Sequence, residues 1–320
     1  MNNVHFSILK RILSEEARSL PLSKIVRYLL EAIPVFIFYK FFTCLPYKTA
    51  SAIGGFIARA LGVLLPVSKI ADNNLRRVFP EQSALERRKT IVGVWDNLGR
   101  LVGEMPKLHT LPIVDDPAKR PTTPHIFVEN AHLFQNFHRQ QQNVLFVSAH
   151  LGNWEVLAHI AQHYNMPFIR VFRKANNPFV NSLIQRNRGG VEGGFAPKGA
   201  EGARILFKNL KNKKNLGFLI DQKMNDGVEV PFFGLPAMTA SAIVDLAVRF
   251  QLPIIPAQCI REKNGSFRLI MHEALIIEAG ELDDTKRVAV LLQLHALFEN
   301  WIRAHPEQWL WLHRRWKNTP

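Results

Sequence analysis

The stretch Asn143-Val-Leu-Phe-Val-Ser-Ala-His-Leu-Gly-Asn-Trp-Glu155 constrains this chain more than any other. An apolar run from Val144 to Ala149 stops at His150, and Gly152 and Asn153 then interrupt it. Trp154-Glu155-Val156-Leu157-Ala158 opens a helical pattern. The order predicts a buried strand, a tight loop and a helix start. Asn153 suits the N-cap, and Glu155 in the first turn suits the positive end of the helix dipole. A continuous helix would turn about 500° between His150 and Glu155 and leave them roughly 140° apart. With His150 on the loop and Glu155 on the first turn, the two can meet. The carboxylate would then orient the imidazole, fix its tautomer and stabilise the imidazolium. Open α/β sheets place their ligands at such strand ends.

From about residue 125 the chain alternates helix and strand. Helical signals run over 129–141, 153–165, 178–188, 199–213, 239–251 and 284–304, and strand signals over 143–149, 167–172, 216–220, 253–260 and 266–272. Such alternation predicts an α/β fold, a central mostly parallel or mixed sheet flanked by helices. The segment Leu111 to Pro124 is rich in proline and reads as a linker. Residues 1–120 are therefore expected to form an N-terminal helical region, and residues 121–320 the α/β domain.

The N-terminal region has no secretory h-region, because Lys10, Arg11, Glu15, Glu16 and Arg18 break it up. Ile25 to Leu45 is apolar and aromatic, but Arg27, Glu31, Pro34 and Lys40 interrupt it. A spanning helix needs about 20 apolar residues. A helix lying in a membrane face is preferred, with a short span or a buried core helix as alternatives. Ala50 to Val67 carries Gly54, Gly55 and Gly62, whose helical spacing suits close packing against another helix.

The formal net charge of +15 favours anionic partners: nucleic acid, phospholipid headgroups, a phosphorylated glycolipid or an acidic protein. Cys44 and Cys259 form no C-x-x-C pair, so neither a disulfide framework nor a cysteine zinc site is indicated, and a cytoplasm-facing location fits. Glu155, His159 and His163 share a helix face, but its ends lie about 12 Å apart, so no metal is expected. Walker and dinucleotide fingerprints are missing, and no cofactor is expected. Without a G-x-S-x-G elbow or a cysteine near His150 in sequence, direct transfer is favoured over a covalent acyl-enzyme.

H-x4-E at a strand–helix junction resembles the acyltransferases of glycerolipid and lipid A synthesis. Val171-Phe-Arg-Lys-Ala-Asn-Asn-Pro178, Asp221-Gln222, Pro231-Phe-Phe-Gly-Leu-Pro236 and Pro306-Glu-Gln-Trp-Leu-Trp-Leu-His-Arg-Arg-Trp-Lys317 are similar, in that order, to the late lipid A acyltransferases. Asn73 to Glu81 and Asn97-Leu-Gly-Arg100 look like that family's N-terminal region. The resemblance implies transfer of a fatty acyl chain from acyl carrier protein to a hydroxyl of a phosphorylated glycolipid at the cytoplasmic face of the bacterial inner membrane. His150 would be the general base and Glu155 its brace. The resemblance also implies that Arg173 contacts the phosphate-bearing substrate and that Arg314 or Arg315 lies near the active site.

Around these, Arg170 closes the second strand beside Arg173, and an arginine pair suits phosphate. Backbone N–H groups of Gly152, Asn153 and Trp154 are candidates for holding an oxyanion. Asp221, with Gln222 at the end of another strand, would hold a substrate hydroxyl, pair with an arginine or cap the next loop. Phe232 and Phe233 would wall an acyl tunnel or belong to the core. The tryptophans and arginines of residues 309–316 suit a membrane edge or a packed strand. Two other readings stand beside this one: an enzyme of the same fold with a lysophospholipid or ornithine lipid acceptor, and a non-catalytic basic protein binding membrane or nucleic acid. The basic run Lys208 to Lys214 supports the last, although no nucleic-acid motif accompanies it. The oligomeric state is not legible.

Overall fold

A computed structural model of the chain describes residues 20–172, 175–188, 194–197, 199–278 and 280–316. Among the described residues four helices come first: α1 (Leu22–Cys44), α2 (Tyr47–Gly62), α3 (Ser68–Val78) and α4 (Ala84–Glu104). Helix α1 continues through Pro34. Helix α4 starts in a capping box, in which the Ser83 hydroxyl accepts from Glu86 N and Glu86 accepts from Ser83 N. Helices α2 and α4 pack at glycine contacts, as the spacing of small residues predicts. A Cβ on Gly54 would sit 2.3 Å from the Gly99 carbonyl, and one on Gly103 would sit 2.3 Å from that of Ala50. Only backbone can approach that closely.

The sheet that follows contains β1 (Ile113–Val114), β2 (Ile126–Glu129), β3 (Leu145–Ser148), β4 (Phe168–Phe172), β5 (Phe195–Pro197), β6 (Asn215–Leu219), β9 (Ile254–Arg261) and β10 (Phe267–Met271). Their order across it is β1-β2-β10-β9-β3-β6-β4-β5. Among the described strands of this sheet only the β10–β9 pair is antiparallel, so the sheet is mixed, as expected. Helices α5 (His132–Arg139), α6 (Val156–His163), α7 (Pro178–Arg188), α8 (Ala200–Lys211), α9 (Ala242–Phe250) and α10 (Asp284–Ala304) connect and flank the strands. Helix α10 has the predicted bounds.

Four pieces differ from the sequence expectation, the first being β5, which falls outside every predicted strand range. Strand β2 lies just ahead of a helical signal. Strand β1 sits inside the proline-rich segment read as linker. A separate hairpin, β7 (Val228–Phe232) with β8 (Leu235–Thr239), turns at Phe233-Gly234, where both residues have positive φ. That is the hairpin geometry matching strand twist. The Phe233 N–H donates to Glu299 Oε1 at 2.5 Å, which ties the turn to α10.

Strand β3 is buried along its whole length because it is central, between β9 and β6. Its two faces feed separate cores. Leu145 and Val147 join one with Leu75, Trp95, Phe232, Trp309 and Trp311, while Val144 and Phe146 join the other with Phe168 and α6. The N-terminal helices and the sheet thus share a core.

Candidate active site

His150 lies two residues beyond the end of β3, and Asp221 lies two beyond the end of the neighbouring β6. These strands are parallel, with Ser148 opposite Leu219. The register therefore brings His150 and Asp221 face to face. The Nδ1 of His150 lies 2.8 Å from Asp221 Oδ1, and the His150 backbone N–H donates to Oδ2 at 2.8 Å. The Trp309 indole N–H donates to the same Oδ2 at 2.7 Å. An ionised carboxylate only accepts, so Nδ1 carries the ring proton and the Nε2 lone pair is uncommitted. Asp221 is 1% exposed. Burial alone pushes its carboxyl up, but the His150 charge, the two hydrogen bonds from His150 and the Trp309 indole outweigh it, and the pKa falls to about 2.

This geometry corrects two expectations. The acid on Nδ1 is Asp221 rather than Glu155. Asp221 is a buried partner of the histidine rather than a group facing substrate. Glu155 instead lies 3.9 Å from Arg170, whose guanidinium covers the Phe195 ring at 4.4 Å. Helix α6 starts at Val156, later than expected, so Glu155 is its N-cap residue and Asn153 caps a turn just before it, accepting from Glu155 N at 3.3 Å.

His150, Trp154, Glu155, Arg170 and Gln222 all line one pocket of about 340 Å³. Leu157, Ala158, Phe168, Gly217, Phe218 and Leu219 form its apolar lining. It opens where β3, β4 and β6 end, between the sheet and α6. A Cβ on Gly217 would enter the Phe168 ring at 2.1 Å, so glycine is required there. The His150 ring sits edge-on to Trp154, with centroids 5.0 Å apart.

The three candidate oxyanion donors divide. Gly152 N–H is committed to the Gln308 carbonyl at 3.0 Å, and that of Asn153 to the Cys259 sulfur. Both are therefore spent inside the protein. The Trp154 N–H has no acceptor among the described residues.

Other expected site residues fall elsewhere. Phe232 is fully buried among Trp309, Trp316 and His295, and Phe233 packs on Phe79 and Trp311. They are core, and neither lines the pocket. Arg315 is 1% exposed, donates to Met238 O at 2.6 Å and Thr239 Oγ1 at 2.7 Å, and lies over the Phe232 ring. Its pKa is lowered to about 10 by burial, against the opposing charge of Asp221. It braces the hairpin and cannot meet a substrate phosphate. Arg314 is exposed, and Arg173 lies outside the described residues. Trp309, Trp311 and Trp316 are buried, so they sit at no membrane edge.

Among the described residues, no three His, Cys, Asp or Glu side chains are placed to hold a metal ion. Also among them, no helix is long and apolar enough to cross a membrane.

The model of a family described as bacterial lipid A biosynthesis acyltransferase matches residues 18–318. The chain is 28% identical over 283 residues to a lipid A biosynthesis lauroyltransferase of Escherichia coli, covering 86% of this chain and 88% of that one. It is 25% identical to a lipid A biosynthesis palmitoleoyltransferase of the same organism, covering 86% and 87%, and 24% identical to a lipid A biosynthesis acyltransferase of Haemophilus influenzae, covering 87% of each. Among solved structures it is similar to the 1-acyl-sn-glycerophosphate acyltransferase of Thermotoga maritima, at 14% identity and a TM-score of 0.37, over 79% of this chain and 99% of that one. A strand-end histidine beside a pocket, and a family match running almost end to end, agree: this chain belongs to the bacterial lipid A biosynthesis acyltransferases.

Proposed function

We propose that the protein moves a fatty acyl chain from an acyl carrier protein thioester to a hydroxyl of a phosphorylated lipid A precursor, with His150 and Asp221 as the catalytic pair. The observation that carries this reading is His150 lining a pocket of mixed polar and apolar walls while Asp221 holds its Nδ1 and leaves Nε2 uncommitted. The acceptor hydroxyl gives its proton to Nε2 as its oxygen attacks the thioester carbonyl. The carbonyl carbon gains a C–O bond and then loses its C–S bond. The imidazolium returns the proton to the departing thiolate, and the products are an ester and the free thiol of the carrier. Asp221 stabilises the imidazolium between these steps. The Trp154 N–H supports the oxyanion from the adjacent turn. Arg170, held by Glu155, supplies positive charge at the pocket wall for a phosphate or for the developing negative charge.

The same reading seats the enzyme on the cytoplasmic face of the inner membrane. Leu22, Leu30, Ile33, Ile37 and Phe38 on α1, with Phe56 and Leu61 on α2, are large apolar side chains exposed to solvent. An apolar face of this kind suits insertion into the headgroup–acyl boundary. The net charge of +15 would draw anionic lipid, the acidic carrier and the phosphorylated acceptor alike. Incubating the purified protein with acyl carrier protein thioesters and tetra- or penta-acylated lipid A precursor, with products weighed by mass spectrometry, tests the reaction. A gain of one acyl chain is the expected product. Transfer to lysophospholipid in place of the lipid A precursor would reject the acceptor.

A further inference from the structure

The turn that follows His150 is gripped by a buried polar network reaching out of the N-terminal helices. We infer that Asn97 on α4 is a positioning residue for His150, supported by Glu104 on the same helix and Arg261 at the end of β9. The inference rests on the reading that His150 performs the chemistry.

Gly152 has φ +57, and a Cβ there would lie 2.5 Å from the Cys259 carbonyl, so the turn is pressed against β9 in a conformation that favours glycine. Its backbone groups are nearly all assigned. His150 N–H goes to Asp221, and His150 O accepts from Leu310 N at 3.1 Å. Gly152 N–H goes to Gln308 O at 3.0 Å, and Gly152 O accepts from Asn97 Nδ2 at 2.9 Å. Asn97 Nδ2 also donates to Gln308 O at 3.2 Å. One amide nitrogen therefore holds both strands of chain that flank the catalytic histidine.

Asn97 is itself fixed from behind. Its Oδ1 accepts from Arg261 Nε at 2.9 Å, and Arg261 pairs with Glu104, which is fully buried. The other Glu104 oxygen accepts from Asn153 Nδ2 at 3.1 Å, and Oε1 also accepts from Ser51 on α2 at 2.7 Å. Gln308 closes the ring by binding the Arg261 backbone twice, at 2.8 and 3.0 Å. The charge pair sits out of water, where partnered groups hold each other firmly. Neither Asn97 nor Glu104 lines the pocket, so they touch no substrate.

Asn97→Asp keeps the Oδ1 acceptor for Arg261 and removes the donor to Gly152 O and Gln308 O. It turns a carboxylate oxygen toward those two carbonyls, so it is compared only on protein that still melts cooperatively. The variant and the native protein are compared in two ways: steady-state transfer from lauroyl-acyl carrier protein to tetra-acylated lipid A precursor, and histidine NMR with the His150 ring assigned through His150→Gln. A displaced catalytic group costs up to about 100-fold. The expected result is a kcat lower by about 10- to 100-fold, KM changed by less than about twofold, and a shifted or broadened His150 signal with the other histidines unmoved. Unchanged kcat and an unmoved His150 signal, even with a lower melting temperature, would overturn the positioning role. If the native protein transfers no acyl chain from this donor, the proposed reaction fails, and the NMR comparison alone decides the role of Asn97.

Discussion

Replacing Asp221 with asparagine removes a charge and almost no volume. Three N–H groups converge on its two oxygens: the His150 ring, the His150 backbone and the Trp309 indole. Asparagine offers one acceptor oxygen and turns an NH2 toward the remaining donors. If the oxygen faces the backbone and indole donors, the NH2 meets Nδ1, which must then become an acceptor. The ring proton moves to Nε2 and the base is lost. If the oxygen faces Nδ1, two buried donors confront an NH2, at about 1–3 kcal/mol for each one left unsatisfied. The corresponding Asp-to-Asn change in a serine-protease triad costs about 10⁴ in kcat, or about 5 kcal/mol of barrier. Asp221→Asn should therefore lower the transfer rate by about 10³- to 10⁴-fold while the protein still melts cooperatively, a few degrees lower. Initial rates with the acyl carrier protein donor, alongside circular dichroism melting, measure both quantities. A folded Asp221→Asn enzyme within about tenfold of native rate, beside an inactive Glu155→Gln, would refute the assignment of Asp221 as the partner of His150.

Gly152→Ala places a Cβ against the Cys259 carbonyl at positive φ. It should cost roughly 1–3 kcal/mol of stability and most of the activity, read by melting and rate. Acid titration of stability is a second check. The folded pKa of Asp221 is depressed from 3.8 to about 2, so its contribution is present above pH 4 and lost as pH falls toward 2. The native protein should therefore lose about 2 kcal/mol more than Asp221→Asn over that window in urea unfolding. Equal losses would show that the ionised carboxylate adds nothing. Serines at Ile33 and Ile37, both exposed on α1, should weaken binding to anionic vesicles by at least about tenfold in flotation assays, and unchanged flotation would reject α1 as the membrane face.

Strands β3, β4, β6, β9 and β10 and the helices after them were legible because their apolar periods are clean, whereas β2, β5 and the β7–β8 hairpin are too short or too interrupted to show one. His150 was legible because a charged-capable side chain ending an apolar run at a Gly-Asn turn is a conspicuous interruption. Its partner was not. The pairing depends on β3 lying beside β6 in a stated register, and local patterning carries no strand order. The signal was present in another form, since Leu216–Ile220 ends at Asp221 just as Val144–Ala149 ends at His150. Glu155 drew attention through sequence proximity, whereas the parallel register brought in an acid 71 residues away. Phe232 and Phe233 left two readings open for a related reason, and the core reading holds. Aromatics beside glycine and proline suit a tunnel wall and a hairpin turn equally, and the packing of Trp309 and Trp316 on Phe232 decides between them. For Arg315 the sequence left a membrane edge and a packed segment open, and the hairpin carbonyl and hydroxyl that accept its hydrogen bonds decide for packing.

The central claim is that the Nε2 of His150 takes the acceptor's proton. The most direct measurement is the transfer rate of His150→Ala from acyl carrier protein thioester to lipid A precursor, on protein shown by circular dichroism to be folded. The account predicts a loss of at least about 10³-fold with the melting temperature little changed. A folded His150→Ala protein that transfers at close to the native rate would contradict it.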